Sequence, residues 1–210
     1  MTQDISAFIT QNLELRPLLT LPTISLYLAH ERSRLSRLAD PKDADPPPPY
    51  WAFTWAGGLA LAQYIMGHSE LVAGRRVLDL GAGSGLVAIA AARSGAIASA
   101  AERDPHGRAA IALNAAANGV EVSLLDLDII GLPPTDIDLI LAGDVFYNPE
   151  IATLMLPFLT SCRAAGIDVL IGDPDRRDLP VDRLELVASY AVGDVGESDV
   201  SRVGNVYRLK

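Results

Sequence analysis

From residue 58 onward the chain alternates short apolar runs with longer stretches in which apolar positions recur every three or four residues. RRVLDLG (75–81), AIASAAE (96–102), VEVSLLD (120–126), DIDLILAGD (136–144) and IDVLIGD (167–173) read as strands. GLALAQYIMGH (58–68), SGLVAIAAARSG (84–95), PHGRAAIALNAAANG (105–119) and PEIATLMLPFLTSCRAAG (149–166) read as helices, two of them ended by Gly95 and Gly119. Strands alternating with helices predict a parallel sheet covered on both faces. The near-continuous apolar runs VLDL, DLILA and DVLI fit strands buried on both sides. Residues 184–210 change character and read as two long strands around GDVGESD, an antiparallel pair at one sheet edge. The predicted architecture is an α/β, Rossmann-like, seven-stranded and mostly parallel sheet with that C-terminal edge pair and a small N-terminal extension.

Residues 1–50 read as an accessory segment and proline-rich linker, and 51–210 as the main domain. SAFITQNLEL (6–15) predicts a short helix capped by Ser6, TISLYLA (23–29) a strand, and HERSRLSRLAD a helical or irregular stretch. Four consecutive prolines in DPKDADPPPPY (40–50) can neither continue a helix nor join a central strand, and read as a stiff polyproline spacer. MTQDISAFITQN has no basic region followed by an apolar stretch, so no signal peptide is expected. No apolar run approaches the ~20 residues that span a bilayer. The cytoplasm is the expected compartment, with no membrane partner.

Composition changes this picture little. Half the residues are hydrophobic and only 6% aromatic, which points to a core of Ala, Leu, Ile and Val. The net charge of −9 argues against a nucleic-acid binder that works through a broad basic surface. The single cysteine, Cys162, cannot form an internal disulfide and reads as a small buried apolar residue. No metal site is expected.

The chemistry concentrates where the first of these strands meets its helix, in VLDLGAGSGLVAIAAARSGA. Gly81, Gly83 and Gly85 let the backbone approach a ligand, and the following helix offers free N–H groups. The spacing is D-x-G-x-G-x-G rather than the dinucleotide fingerprint G-x-G-x-x-G. Asp79, two positions before the first glycine, would repel a pyrophosphate but suits a cationic ligand. S-adenosylmethionine carries an ammonium and a sulfonium and no phosphate. Glu102 ends the second strand some 20 residues on, where a carboxylate can accept from both ribose hydroxyls. Asp104 is its rival there and the better helix cap. Asp126 ends the third strand, within reach of an adenine amino group. Three acidic residues at successive strand ends mark the mouth of an open α/β sheet. The fourth strand ends in GDVFYNPE, so Asp144 and Tyr147 project into the same mouth, where a methyl acceptor would lie. The bland readings are a turn cap for Asp144 and helix packing for Phe146 and Tyr147. His30, His68 and His106 are expected at the surface, outside this mouth, so no dedicated base is evident.

PPYWAFTWAGGLALAQYI, VLDLGAGSG, AERDP, AGDVFYNPE and IGDPDRRDLP resemble the class I (seven-β-strand) methyltransferases. More closely, they resemble the lysine methyltransferases that modify the β subunit of electron-transfer flavoprotein. The likeness covers most of the chain; D-x-G-x-G-x-G specifies only the superfamily, whereas WAFTWAGG with GDVFY and IGDP is more specific. Trp55-Ala56-Gly57-Gly58 departs from the Trp-Pro-Gly-Gly common in that group. The resemblance implies S-adenosylmethionine as cofactor, S-adenosylhomocysteine as product, and Trp55, Asp79, Gly81, Gly83, Glu102 and Asp126 around it. It further implies that Asp144 and Tyr147 form a D-x-x-Y motif positioning the substrate lysine, and that the partner is a flavoprotein. A small-molecule (nicotinamide-like) N-methyltransferase or a ribosomal-protein methyltransferase would share this turn. An NAD-dependent oxidoreductase would need a glycine where Leu86 stands. A non-catalytic nucleotide-binding module should have lost Glu102 or Asp144.

Overall fold

A computed structural model of the chain describes residues 4–38, 48–126, 131–193, 200 and 202–210. The elements in chain order are α1 (Ile5–Asn12), β1 (Glu14–Pro17), β2 (Ser25–Leu28), α2 (Ala56–Gly67), β3 (Arg76–Leu80), α3 (Leu86–Arg93), β4 (Ile97–Ala101), α4 (Pro105–Ala117), β5 (Ser123–Leu125), β6 (Leu139–Gly143), α5 (Pro149–Ala164), β7 (Asp168–Asp173), β8 (Leu184–Val192) and β9 (Arg202–Leu209).

Seven of these strands form one sheet in the order β5-β4-β3-β6-β7-β9-β8. β3 to β7 run parallel, β9 is antiparallel to β7, and β8 is antiparallel to β9 at the edge. The expected mostly parallel sheet and C-terminal antiparallel pair are therefore both present. Its GDVGESD connection lies largely outside the described residues, as does much of the proline run.

The sheet's period-2 alternation builds two cores. Val77, Leu139, Leu141, Leu170 and Val206 face α2 and α3, packing on Leu59, Ile65, Leu86 and Ile89. Leu78, Leu80, Ile140, Val169 and Ile171 point the other way, onto Phe146, Phe158, Leu159 and Cys162. Cys162 is fully buried, as expected, and burial pushes its thiol up to about 11, which leaves it unreactive.

The N-terminal segment lies outside the sheet yet shares its core. Leu18, Leu21, Ile24, Leu26 and Leu28 join the cluster of α2 and α3. β2 is tied to α4 by side chains: Tyr27 N–H donates to Asn114 Oδ1 at 2.8 Å and Ser25 N–H to Asn118 Oδ1 at 3.0 Å. The first helix corrects the sequence reading. It is capped by Asp4, which accepts from Ser6 N–H at 3.0 Å and Ala7 N–H at 3.3 Å, so Ser6 lies inside it. It stops at Asn12 because Leu13 is already extended and leads into β1. No helix among the described residues is long and apolar enough to cross a membrane.

Candidate functional site

The chain leaves β3 through Gly81, Gly83 and Gly85, with φ of 71°, 53° and 80°. All three lie in the left-handed region that a Cβ disfavours. At Gly85 a Cβ would also meet Ile111 of α4 at 3.1 Å. The turn is pinned from below, Gly81 and Ala82 N–H both donating to the carbonyl of Ala101 at the end of β4.

Carboxylates and one amide hold this turn. Glu102 Oε2 accepts from Gly83 N–H at 2.8 Å, while Oε1 accepts from Asp104 N–H at 2.8 Å. Asp104 caps α4, accepting from His106 N–H at 2.8 Å, the capping role expected for it. Asn114, fully buried, donates to the Ser84 carbonyl at 2.9 Å and so links the turn to β2. Asp79 is 2% exposed, and its Oδ2 accepts from Ala88 N–H of α3 at 2.9 Å. Burial pushes Asp79 up to about 7; the Ala88 N–H opposes the shift and the Glu102 charge adds to it. Asp126 ends β5 with its side chain 94% exposed, paired with Arg108 at 2.9 Å. This donor set of carboxylates beside left-handed glycines fits a cationic nucleoside better than a pyrophosphate.

Asp144 follows β6 at φ 58°. Its carboxylate is turned onto the N-terminus of α2, where Oδ1 accepts from Gly57 N–H at 3.1 Å and Oδ2 from Gly58 N–H at 2.6 Å. Oδ1 also accepts from Arg176 Nη1, and the side chain is 10% exposed. The cap expected as Asp144's bland reading is thus present, although on a helix 86 residues earlier in the chain. Burial raises its pKa, with Arg176 and the two α2 amides acting against the shift.

An aromatic wall adjoins it. Tyr147, 45% exposed, lies 5.5 Å from the ring of Tyr50, and Tyr50 lies 5.6 Å edge-on to Trp55. Trp55 Nε1 donates to the Tyr50 carbonyl at 2.9 Å. Phe146 points inward and is fully buried, the packing role anticipated for it.

Several members of this site escaped the sequence reading. Trp51, only 2% exposed, stacks on His106 at 6.1 Å, and its Cα lies 3.8 Å from where a Cβ on Gly83 would stand. His106 is partly buried rather than at the open surface expected for it, its ring held between Asp104 Oδ1 at 2.8 Å and the Trp51 ring. Asp173 and Arg176 were also missed, although IGDPD ends β7 in a carboxylate just as the other site strands do. A concavity of about 740 Å³ opens where the strands begin, between Arg75, Arg76, Leu132 and Ile167. Its cations are already paired, Arg75 with Asp168 at 2.7 Å and Arg76 with Asp138 at 2.6 Å. The carboxylates and glycines of the site lie at the opposite end of the sheet.

The sequence pattern of the lysine methyltransferase family matches residues 52–187. The electron transfer flavoprotein beta subunit lysine methyltransferase of Danio rerio is 40% identical over 177 residues, 82% of this chain and 68% of that protein. Its Rattus norvegicus counterpart is 43% identical over 131 residues, 61% of this chain and 51% of that protein. The chain thus spans from about half to just over two-thirds of the length of these curated relatives. A ribosomal protein L11 methylase from Lactobacillus delbrueckii superposes with a TM-score of 0.51 at 24% identity, over 71% of this chain and 77% of that one, a likeness of fold.

Proposed function

The chain belongs to the lysine methyltransferase family, and on that premise we propose that it transfers methyl groups from S-adenosylmethionine to lysine side chains of the electron-transfer flavoprotein β subunit. The observation that carries this reading is the adjacency of two structures at the strand ends. One is the glycine turn with Glu102 on Gly83 N–H. The other is the mouth formed by Asp144, Tyr147, Tyr50 and Trp55 beside it.

Bound there, S-adenosylmethionine supplies an electrophilic methyl group on a sulfonium. Gly81, Gly83, Gly85 and Glu102 hold the nucleoside end, with Asp126 at the outer rim and Asp79 beneath the turn. Positioning supplies much of the acceleration for an in-line displacement. The acceptor must arrive as a free amine, yet with a reference pKa near 10.4 only about one lysine in 2,500 is neutral at pH 7. The half-buried aromatic wall disfavours the ammonium, and the proton leaves to solvent.

Asp144 orients the amine. A carboxylate offers about four lone-pair directions; Gly57, Gly58 and Arg176 take three, which leaves one on Oδ2 for the acceptor N–H. Tyr147 and Tyr50 flank the lysine stem. Incubating the protein with methyl-labelled S-adenosylmethionine and purified flavoprotein β subunit should place label on lysine, identified by peptide mass spectrometry. A β subunit that carries no label on any lysine would overturn the substrate.

A further inference from the structure

Beyond β7 the chain turns through Asp175, a non-glycine residue at φ 63°. Both its carboxylate oxygens are taken by β9: Tyr207 Oη donates to Oδ1, and Asn205 Nδ2 donates to Oδ2 at 2.9 Å. Ser189 of β8 fixes Asn205 in turn, its hydroxyl donating to Asn205 Oδ1 at 2.6 Å. The next residue, Arg176, is held twice by fully buried Asp173: its N–H donates to Oδ1 at 2.7 Å and its Nη1 to Oδ2 at 3.2 Å. The same Nη1 reaches Asp144. A relay of contacts therefore runs from the sheet edge through Asp175 and Arg176 to the carboxylate on α2.

We propose that Arg176 is a positioning residue for methyl transfer, holding the Asp144 carboxylate against α2 with its free lone pair toward the acceptor, and that Asn205 and Tyr207 set Arg176 through Asp175. This rests on the methyltransferase reading above. The physical reason is that two buried carboxylates share one cation. The groups facing Asp144 are the Gly57 and Gly58 amides from α2, Asp173 from β7 and the Arg176 guanidinium. Of these, only Arg176 is positively charged, and Asp173 itself is pushed up to about 6 by burial. Without Arg176 both acids favour their neutral forms. A protonated Asp144 is uncharged, so the hydrogen bonds it accepts from the two amides and the incoming amine lose their charge assistance and hold that arrangement less firmly. Arg176 can reach both acids because its backbone is already pinned, so little rotamer freedom is lost on pairing.

The test compares wild type, Arg176→Gln, Arg176→Lys and Tyr207→Phe as full chains with the flavoprotein β subunit. Arg176→Gln should lower kcat about tenfold or more with KM little changed. It should also move the acid limb of kcat upward by about one pH unit, and leave S-adenosylhomocysteine affinity within about twofold by calorimetry. Arg176→Lys should restore the acid limb and part of kcat, since charge returns without the planar fork. A folded Arg176→Gln with wild-type kcat and acid limb overturns the proposal, as does an equal loss in Arg176→Lys with no movement of the limb. Carboxyl-carbon NMR of Asp144 gives a readout independent of turnover: its titration midpoint should be higher in Arg176→Gln than in wild type. If Arg176→Gln does not fold, Tyr207→Phe decides, a raised Asp144 midpoint with reduced kcat supporting the relay and wild-type values for both refuting it. A wild-type protein that methylates no lysine overturns the methyltransferase reading instead, and the NMR comparison still shows whether Arg176 holds Asp144.

Discussion

Gly57 and Gly172 meet backbone to backbone: a Cβ on Gly57 would stand 2.2 Å from the Gly172 carbonyl oxygen, and a Cβ on Gly172 would stand 2.1 Å from that of Gly57. This contact sets the first turn of α2 against the end of β7 and brings its amides to Asp144. Neither obstacle is a flexible side chain. Gly57→Ala and Gly172→Ala should each cost about 2–3 kcal/mol or more of stability, the upper range for forced overpacking. Gly67, the last residue of the same helix, has nothing within 4 Å of its would-be Cβ. Gly67→Ala should be neutral or stabilising by about 0.5 kcal/mol. Urea denaturation of the three variants checks this, and a Gly57→Ala protein as stable as Gly67→Ala would contradict it.

What the sequence could show depended on how far apart the partners lie. β3, β4, β6 and β7 were legible because their apolar runs stop at a carboxylate or glycine, which also located the mouth. The Asp144–Gly58 and Tyr27–Asn114 pairs were not, because the partners lie 86 and 87 residues apart and no local period announces them. Asp4 and Ser6 are both good cap residues within one turn, and only backbone geometry shows that Asp4 is the cap. The Gly57–Gly172 contact explains WAGG and IGDP together, yet each half alone reads only as a loop glycine.

Glu102 bridges the glycine turn and the start of α4 through its two oxygens. Gly107 makes room for it, since a Cβ there would lie 2.8 Å from Glu102 Cγ. Glu102→Ala should weaken S-adenosylhomocysteine binding by about 1.5–3 kcal/mol, the range for charge-assisted hydrogen bonds. Calorimetry measures it directly. Unchanged affinity would remove Glu102 from the cofactor site.

Asp79 makes stability depend on pH in a defined direction. Its folded value of about 7 lies above the unfolded carboxyl near 3.9, so between about pH 4 and 7 the folded protein keeps a proton that the unfolded chain has released. Stability must then fall as pH rises through that window, by up to about 1.4 kcal/mol per pH unit for one group. Asp173, raised to about 6, contributes in the same sense over part of the range. Asp79→Asn keeps an acceptor for Ala88 N–H but cannot titrate, so it should flatten the profile without abolishing the slope. Denaturation curves for both proteins across this range should converge toward the acid end; parallel profiles would contradict the assignment.

Tyr147 separates two roles that a tyrosine in a methyl-transfer mouth can play. Burial raises its hydroxyl pKa above the ordinary value, so near neutral pH it is a phenol and not a proton acceptor of any strength. Its ring, 5.5 Å from Tyr50, instead forms one wall of the opening. The aromatic face packs on the lysine methylenes and holds the stem in the opening. Tyr147→Phe should therefore keep kcat/KM for the flavoprotein β subunit within about threefold. Tyr147→Ala should lower it about tenfold or more, with S-adenosylhomocysteine affinity unchanged because the ring stands on the acceptor side. If Tyr147→Phe lost turnover as completely as Tyr147→Ala, the hydroxyl and not the ring would be the working part.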